Sequence, residues 1–336
     1  MPSAQPYETV SVIGGGAWGT ALANLCRRNG SATTIWAREA DVVEAIRATR
    51  ENRIFLPGVP LDAGLRATGD LAEAGRAEAL VFVVPMQFAR SALGALRASA
   101  SADAPVILCS KGIEQGTGLL LTEVFGEVWP GAAPAVLSGP SFARDVARGL
   151  PTAVTVAAGD PGVGARWIAT LGAPHFRPYL SDDLIGVELG GAVKNVLAIG
   201  AGAVIGRGLG DSARAALIAR GFAEMQRLGA AIGAKRETMA GLSGLGDLIL
   251  TACSAQSRNF SLGAELGKGG RLSDILASRQ SVAEGVATAP AVVARARKAG
   301  VETPVCAAVA DLLSGIKPLD AIIAELLARP LKSESD

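Results

Sequence analysis

Thr9-Val10-Ser11-Val12-Ile13 runs without a break into Gly14-Gly15-Gly16-Ala17-Trp18-Gly19, and then into Thr20-Ala21-Leu22-Ala23-Asn24-Leu25. A β-rich apolar run is thus followed by a glycine turn and a helical stretch. Gly14, Gly16 and Gly19 carry the spacing G-x-G-x-x-G. Such glycines permit a tight turn, a close approach of backbone to a pyrophosphate, and close packing of helix on strand. The helix start adds free N–H groups and the positive end of its dipole. The strand–turn–helix context favours a dinucleotide-binding Rossmann unit over an ordinary glycine-rich turn.

Working outward, short apolar runs alternate with helical stretches through the first half. Thr33–Trp36, Ala79–Val84, Val106–Cys109 and Ala135–Leu137 join Thr9–Ile13 as predicted strands. They are continuous apolar runs ended by Gly, Pro or Ser, as in a parallel sheet buried on both faces. Thr20–Arg28 and Asp41–Arg50 are among the helical segments between them, which implies a doubly wound α/β sheet with right-handed crossovers. Thr152–Ala157 and Phe176–Tyr179 extend it. From about Asp182 the pattern turns helical, with Glu188–Ile205, Ala213–Ile232, Leu245–Ala252, Phe260–Leu266, Pro290–Lys298 and Pro304–Leu313. The expected organisation is a Rossmann-type domain over 1–181, an all-α domain over 182–330 and a polar tail over 331–336.

Composition narrows the class. The 336 residues suffice for two cores, and a net charge of +1 gives no reason to expect nucleic acid or an anionic membrane as partner. Cys26, Cys109, Cys253 and Cys306 lie far apart, which fits a reducing cytoplasm and neither a disulfide framework nor a zinc site. The start MPSAQPYETV lacks the features of a signal peptide. Val196–Ile205 is too short an apolar stretch to span a bilayer, so a buried helix is expected and no membrane insertion.

Arg38 and Glu39 follow the second predicted strand. Arginine there meets the 2′-phosphate of NADP, whereas an acid there suits NAD; Arg38 favours NADP, and Glu39 leaves NAD open. His175 stands alone, in a predicted strand beside Pro174, so a metal-dependent dehydrogenase is not expected, and His175 is read as structural. Neither Tyr7 nor Tyr179 has a lysine four residues on. The general acid must then be Lys, Asp or Glu. Lys194, in Gly190-Gly191-Ala192-Val193-Lys194-Asn195, sits within an apolar helix, where burial lowers a lysine's pKa toward the range proton transfer requires. A lysine snorkelling from a helix surface is the competing reading.

Together these pieces resemble the bacterial NAD(P)-dependent glycerol-3-phosphate dehydrogenases over nearly the whole chain. The segments are Val12–Leu22 (VIGGGAWGTAL), Phe55–Val59 (FLPGV), Ser110–Glu114 (SKGIE), Ser138–Ala143 (SGPSFA), Gly186–Ala201 (GVELGGAVKNVLAIGA), Ala240–Leu250 (AGLSGLGDLIL), Ser257–Asn259 (SRN) and Val282–Gly285 (VAEG). Ser212 departs from the asparagine more usual at its place.

The resemblance implies Lys194 as proton donor and acceptor, with Lys111, Gly139, Ser141, Asp247, Ser257, Arg258 and Asn259 at the substrate. It implies Gly14, Gly16, Ala17, Trp18, Gly19, Arg38, Lys111, Ala143, Arg258, Val282 and Glu284 at the cofactor, NADP(H) or NAD(H), with no metal. The reaction implied is reversible reduction of dihydroxyacetone phosphate to sn-glycerol 3-phosphate, supplying glycerophospholipid synthesis; a homodimer is compatible with it. The residues agree with these roles. Ser257-Arg258-Asn259 precedes an apolar helical run and offers a phosphate a helix end beside a guanidinium. Lys111 follows a strand at its carboxyl end, where open α/β sheets bind ligands. Asp247 is an acid amid apolar neighbours and needs a partner. A β-hydroxyacid dehydrogenase pairs similar halves, but SRN and GLGDLIL argue against it. A non-catalytic NADPH-binding regulator is opposed by the retention of Lys194 and Asp247.

Overall fold

The computed structural model describes residues 4–279 and 282–330, so the expected polar tail lies outside the described residues. Eight strands form one sheet: β1 (Thr9–Ile13), β2 (Ala32–Trp36), β3 (Arg66–Thr68), β4 (Ala79–Phe82), β5 (Val106–Leu108), β6 (Ala135–Ser138), β7 (Thr152–Ala158) and β8 (Phe176–Ser181). Their spatial order is β3-β2-β1-β4-β5-β6-β7-β8. All neighbours are parallel except β6 and β7, which run antiparallel. The chain reverses direction across the sheet between β1 and β4, which opens a crevice at the carboxyl ends of the strands. The edge strand β3 has no signal in the sequence pattern: Arg66-Ala67-Thr68 is too short and too polar to show a period.

Alternate residues of the strands feed two different cores. Val81 and Ile107 pack with Leu22 and Trp167 on one face, and Leu80, Phe82 and Val106 pack with Leu93 and Phe125 on the other. Apolar runs such as Ala79–Phe82 are therefore buried on both faces. His175 lies in the turn before β8 rather than in a strand, and its carbonyl accepts from Thr152 N at 2.8 Å.

Among the described residues, everything after Ser181 that is regular is helical. The core helix Leu184–Gly206 starts at Asp183, whose carboxylate accepts from Gly186 N at 2.8 Å. At 23 residues it is longer than the apolar stretch Val196–Ile205 suggested, and by length and composition it could cross a membrane. Its most apolar window is instead 83% buried inside the protein. A helix apolar on every side is stable only when wrapped by others. The helix expected from Pro290 begins six residues earlier, at Glu284, and carries Pro290 within it; only the bond to the Val286 carbonyl is forfeited.

The helix Arg258–Gly267 crosses the core helix at backbone contact. A Cβ on Gly202 or Gly206 would strike the carbonyls of Phe260 or Ala264, and one on Gly263 or Gly267 those of Ile199 or Ala203. Four glycines thus set the crossing distance. Gly263→Ala is expected to lower stability by roughly 1–3 kcal/mol through overpacking. Gly126→Ala, at an exposed helical position with open space around it, should be neutral or stabilising. Equal denaturation midpoints for the two variants would contradict the close-crossing explanation.

Candidate functional site

The glycine turn is built as its spacing requires. Gly14 has φ +131°, and a Cβ there would press on the Val83 carbonyl just past β4. A Cβ on Gly19 would collide with the Gly14 carbonyl, whereas one on Gly16 meets nothing within 4 Å. Gly14 and Gly19 therefore serve packing, and Gly16 leaves an open side. Gly16 caps the helix Ala17–Arg28, whose first turn holds no acid, so its N–H groups and dipole face that opening unopposed. The indole N–H of Trp18 is buried without a partner. These features fit a bound pyrophosphate-bearing dinucleotide.

Asn52, a lone polar residue with no motif around it, holds this turn. Fully buried, it donates to the Gly15 carbonyl at 2.8 Å and to Thr20 Oγ1 at 2.7 Å, and accepts from Phe55 N at 3.0 Å. Arg38 stands just beyond β2, 75% exposed at its side chain, and donates to Glu39 Oε1 at 3.2 and 2.9 Å. The two candidates for cofactor discrimination thus face each other at one rim.

The second centre joins both halves of the chain. Lys194, on the core helix, pairs with Asp247 Oδ1 at 2.5 Å. Lys111, in the loop after β5, donates to Asp247 Oδ2 at 2.7 Å and to the Gly139 carbonyl at 3.5 Å. A wide turn over Leu242–Gly246 precedes the helix Asp247–Ala252 and delivers Asp247 to the interior, 1% exposed at its side chain. Wide π-type turns of this kind recur at functional sites. Thr251, one turn on, donates to Asp247 Oδ1 at 3.3 Å; its i, i+4 spacing from Asp247 was the signal that could have found it.

Burial pulls the Lys194 ammonium down to about 7; Lys111 acts in the same sense and Asp247 opposes them. Burial would push the Asp247 carboxyl up, but the two ammonium groups outweigh it and hold it below the usual range. The cluster is a buried anion clasped by two cations, one of them poised to exchange its proton near neutrality.

Around the cluster lie the remaining candidates. Gly139 has φ +139° and touches Val154, so no side chain fits there, and Ser141 Oγ donates to its carbonyl at 3.0 Å. Ser257 caps the helix Arg258–Gly267, accepting from Phe260 N at 3.2 Å. Asn259 spends its side chain on structure, donating to Asn195 Oδ1 at 2.9 Å and accepting from Gly285 N at 3.1 Å. The N–H groups of Arg258 and Asn259 open this helix and have no intrahelical acceptor. Arg258 is exposed and feels the carboxylate of Glu284. Burial raises Glu284 to about 7, with Arg258 opposing. Ala143 starts a short helix, and Val282 is exposed beside the Glu284 helix. The buried hydroxyls of Ser110, Ser138 and Ser243 have no protein partner, and groups of this kind take water or ligand. Ser212 lies exposed in the first turn of the helix Gly210–Ala231. Among the described residues no three His, Cys, Asp or Glu side chains gather as metal ligands.

A glycine-turn nucleotide cradle in the same chain as a buried, depressed lysine defines the class: a Rossmann-type, nicotinamide-dependent oxidoreductase. The model of the NAD-dependent glycerol-3-phosphate dehydrogenase N-terminus matches residues 9–163, and that of the C-terminus matches residues 183–324. The chain is 56% identical over 331 residues, 98% of its length and 95% of the relative's, to glycerol-3-phosphate dehydrogenase [NAD(P)+] of Rhodospirillum rubrum. It is 55% identical over 329 residues, 98% and 99%, to the protein of that name in Parvibaculum lavamentivorans. A crystal structure of glycerol-3-phosphate dehydrogenase from Coxiella burnetii superposes with a TM-score of 0.92 at 37% identity, covering 98% of this chain and all of that one. The chain belongs to the NAD-dependent glycerol-3-phosphate dehydrogenase family.

Arg38→Ala is expected to weaken NADPH roughly tenfold or more and NADH little, since only NADPH offers the charge-assisted contact. Cofactor Kd values measured side by side decide this; equal losses would show that Arg38 does not read the 2′-phosphate.

Proposed function

We propose that the chain catalyses reversible reduction of dihydroxyacetone phosphate to sn-glycerol 3-phosphate with NADPH or NADH, Lys194 serving as proton donor and acceptor. The observation that carries this reading is the buried Lys194–Asp247–Lys111 cluster, in which two ammonium groups share one carboxylate. Residues 1–181 hold the cofactor and residues 182–330 supply the proton donor and most of the substrate grip.

When bound, the reduced nicotinamide supplies the hydride. The glycine turn, Gly14, Gly16 and Gly19 with Ala17 and Trp18, holds the pyrophosphate, and Arg38 the 2′-phosphate. Lys111, Ala143, Arg258, Val282 and Glu284 line the rest of that side. The substrate phosphate is met by the guanidinium of Arg258 and by the helix start at Ser257 and Asn259. Because the Asn259 amide is committed to Asn195 and Gly285, its contribution falls to the backbone N–H. Gly139 and Ser141 flank the substrate, and Lys111 neutralises charge beside it. As negative charge grows on the carbonyl oxygen, Lys194 Nζ gives up its proton to that oxygen. Asp247 stays ionised throughout and aligns both ammonium groups.

The product feeds glycerophospholipid synthesis. The setting is a cytoplasmic homodimer. All four cysteines are free thiols, which agrees with a reducing compartment.

Phosphate recognition predicts that unphosphorylated dihydroxyacetone is a far poorer substrate than its phosphate ester. Comparable kcat/KM for the two ketones would remove the helix end from the mechanism.

Lys194→Ala should cut kcat by about 10²–10⁴-fold with NADPH Kd nearly unchanged. Lys194→Arg should be almost as damaging, because guanidinium does not release its proton near neutrality. The sign of the pH dependence follows from a donor depressed to about 7. Reductive kcat/KM should fall as pH rises through that value, and oxidative kcat/KM should rise, since oxidation needs the neutral amine. Retention of a third of wild-type kcat by Lys194→Ala at saturating substrate would make the lysine structural.

A further inference from the structure

The catalytic cluster is assembled from two halves: Lys111 comes from the sheet, and Lys194 and Asp247 from the helical part. Its geometry depends on how the loop 110–119 is seated. That loop is a closed unit, with Glu114 N donating to the Leu119 carbonyl at 2.9 Å and Gly118 N to the Glu114 carbonyl at 3.0 Å. From the sheet side, Arg90 grips Glu114 with two bonds of 2.8 Å, and Gln87 donates to the Ile113 carbonyl at 2.9 Å.

From the helical side a guanidinium reaches across to the loop itself. Arg295, on the helix Glu284–Lys298, donates to the Gly118 carbonyl at 3.1 Å and holds both carboxylate oxygens of Glu123 at 3.0 and 2.9 Å. Its side chain is only 14% exposed. Glu123 in turn accepts from Leu120 N at 2.7 Å, so the guanidinium and the carboxylate it holds tie down the loop exit at Gly118, Leu120 and Glu123. Two further anchors flank it. Ile113 and Leu120 are buried in the apolar cluster of the core helix, and Glu188 on that helix accepts from Thr122 N at 2.9 Å and Thr122 Oγ1 at 2.6 Å.

We propose that Arg295 is a positioning residue: its bidentate grip on Glu123 and its bond to Gly118 seat the Lys111 loop against Asp247. This rests on the reading of Lys194, Lys111 and Asp247 as the reacting cluster. A planar fork holding a carboxylate and a carbonyl at once fixes orientation in a way a lysine cannot. The loop exit lies only seven residues beyond Lys111, so a shift there is passed to the ammonium. A misplacement near 1 Å is enough to cost about a hundredfold in rate.

The test uses full-length Arg295→Met, Glu123→Gln and the double variant, each checked for folding by circular dichroism. Each single variant is expected to lose ten- to a hundredfold in kcat with little change in NADPH Kd, and the double variant no more than the worse single one. A second readout excludes mere destabilisation. Withdrawal of Lys111 removes a cation that depresses Lys194, so the reductive kcat/KM limb should move to higher pH than in the wild type. Glu123→Gln keeps an acceptor for Leu120 N and covers the case in which Arg295→Met does not fold. Folded variants with kcat within twofold of wild type and an unmoved pH limb overturn the proposal. Failure of the underlying reading looks different, because the wild type itself would then lack the limb.

Discussion

Two ammonium groups and one carboxylate meet, with Asp247 only 1% exposed at its side chain. That contact, Lys111 and Lys194 on the two oxygens of Asp247, is the constraint on which the rest of the molecule is arranged. A buried ion is costly unless paired and hydrogen-bonded. Asp247 is satisfied on both oxygens, with Thr251 adding a third donor. The cations share one anion, so burial is only partly compensated for Lys194, and its proton becomes easy to release. The same imbalance leaves the cluster with an excess of positive charge, which suits a phosphorylated substrate.

Each large feature of the fold serves that meeting. The sheet ends β5 at Leu108 and so sends Lys111 into the crevice. The core helix must be buried to carry Lys194 inward, and its glycines let the Arg258–Gly267 helix lie against it. The wide turn before Asp247 changes the phase of its helix so that an acid points inward. Glycine at 190 and 191 lets the core helix pass close to Ser243 and Ser138, where any side chain would strike them.

Much of this is legible in the sequence alone. The Gly14–Gly19 spacing, the apolar strands and Lys194 amid apolar residues each state a physical requirement locally. The doubly wound sheet and the helical second half follow from those patterns. What escaped was tertiary. The edge strand β3 is three residues long, and the antiparallel pairing of β7 with β6 leaves no mark on periodicity. Asn52 is a lone polar residue whose bonds to Gly15 and Thr20 exist only once the chain has folded. The bonds of the Asn259 side chain to Asn195 and Gly285 are equally hidden, because they too exist only once the chain has folded. Arg295 reads in sequence as one basic residue among several near a helix end.

The state of the Lys194 amine is the most direct test of the mechanism. Protein labelled with ¹⁵N-lysine can be titrated by NMR, the Lys194 signal being assigned by its loss in Lys194→Ala. The buried cluster predicts a midpoint about three units below that of ordinary lysines, near 7. A Lys194 amine that titrates with the surface lysines, near the usual value of about 10.4, would contradict it.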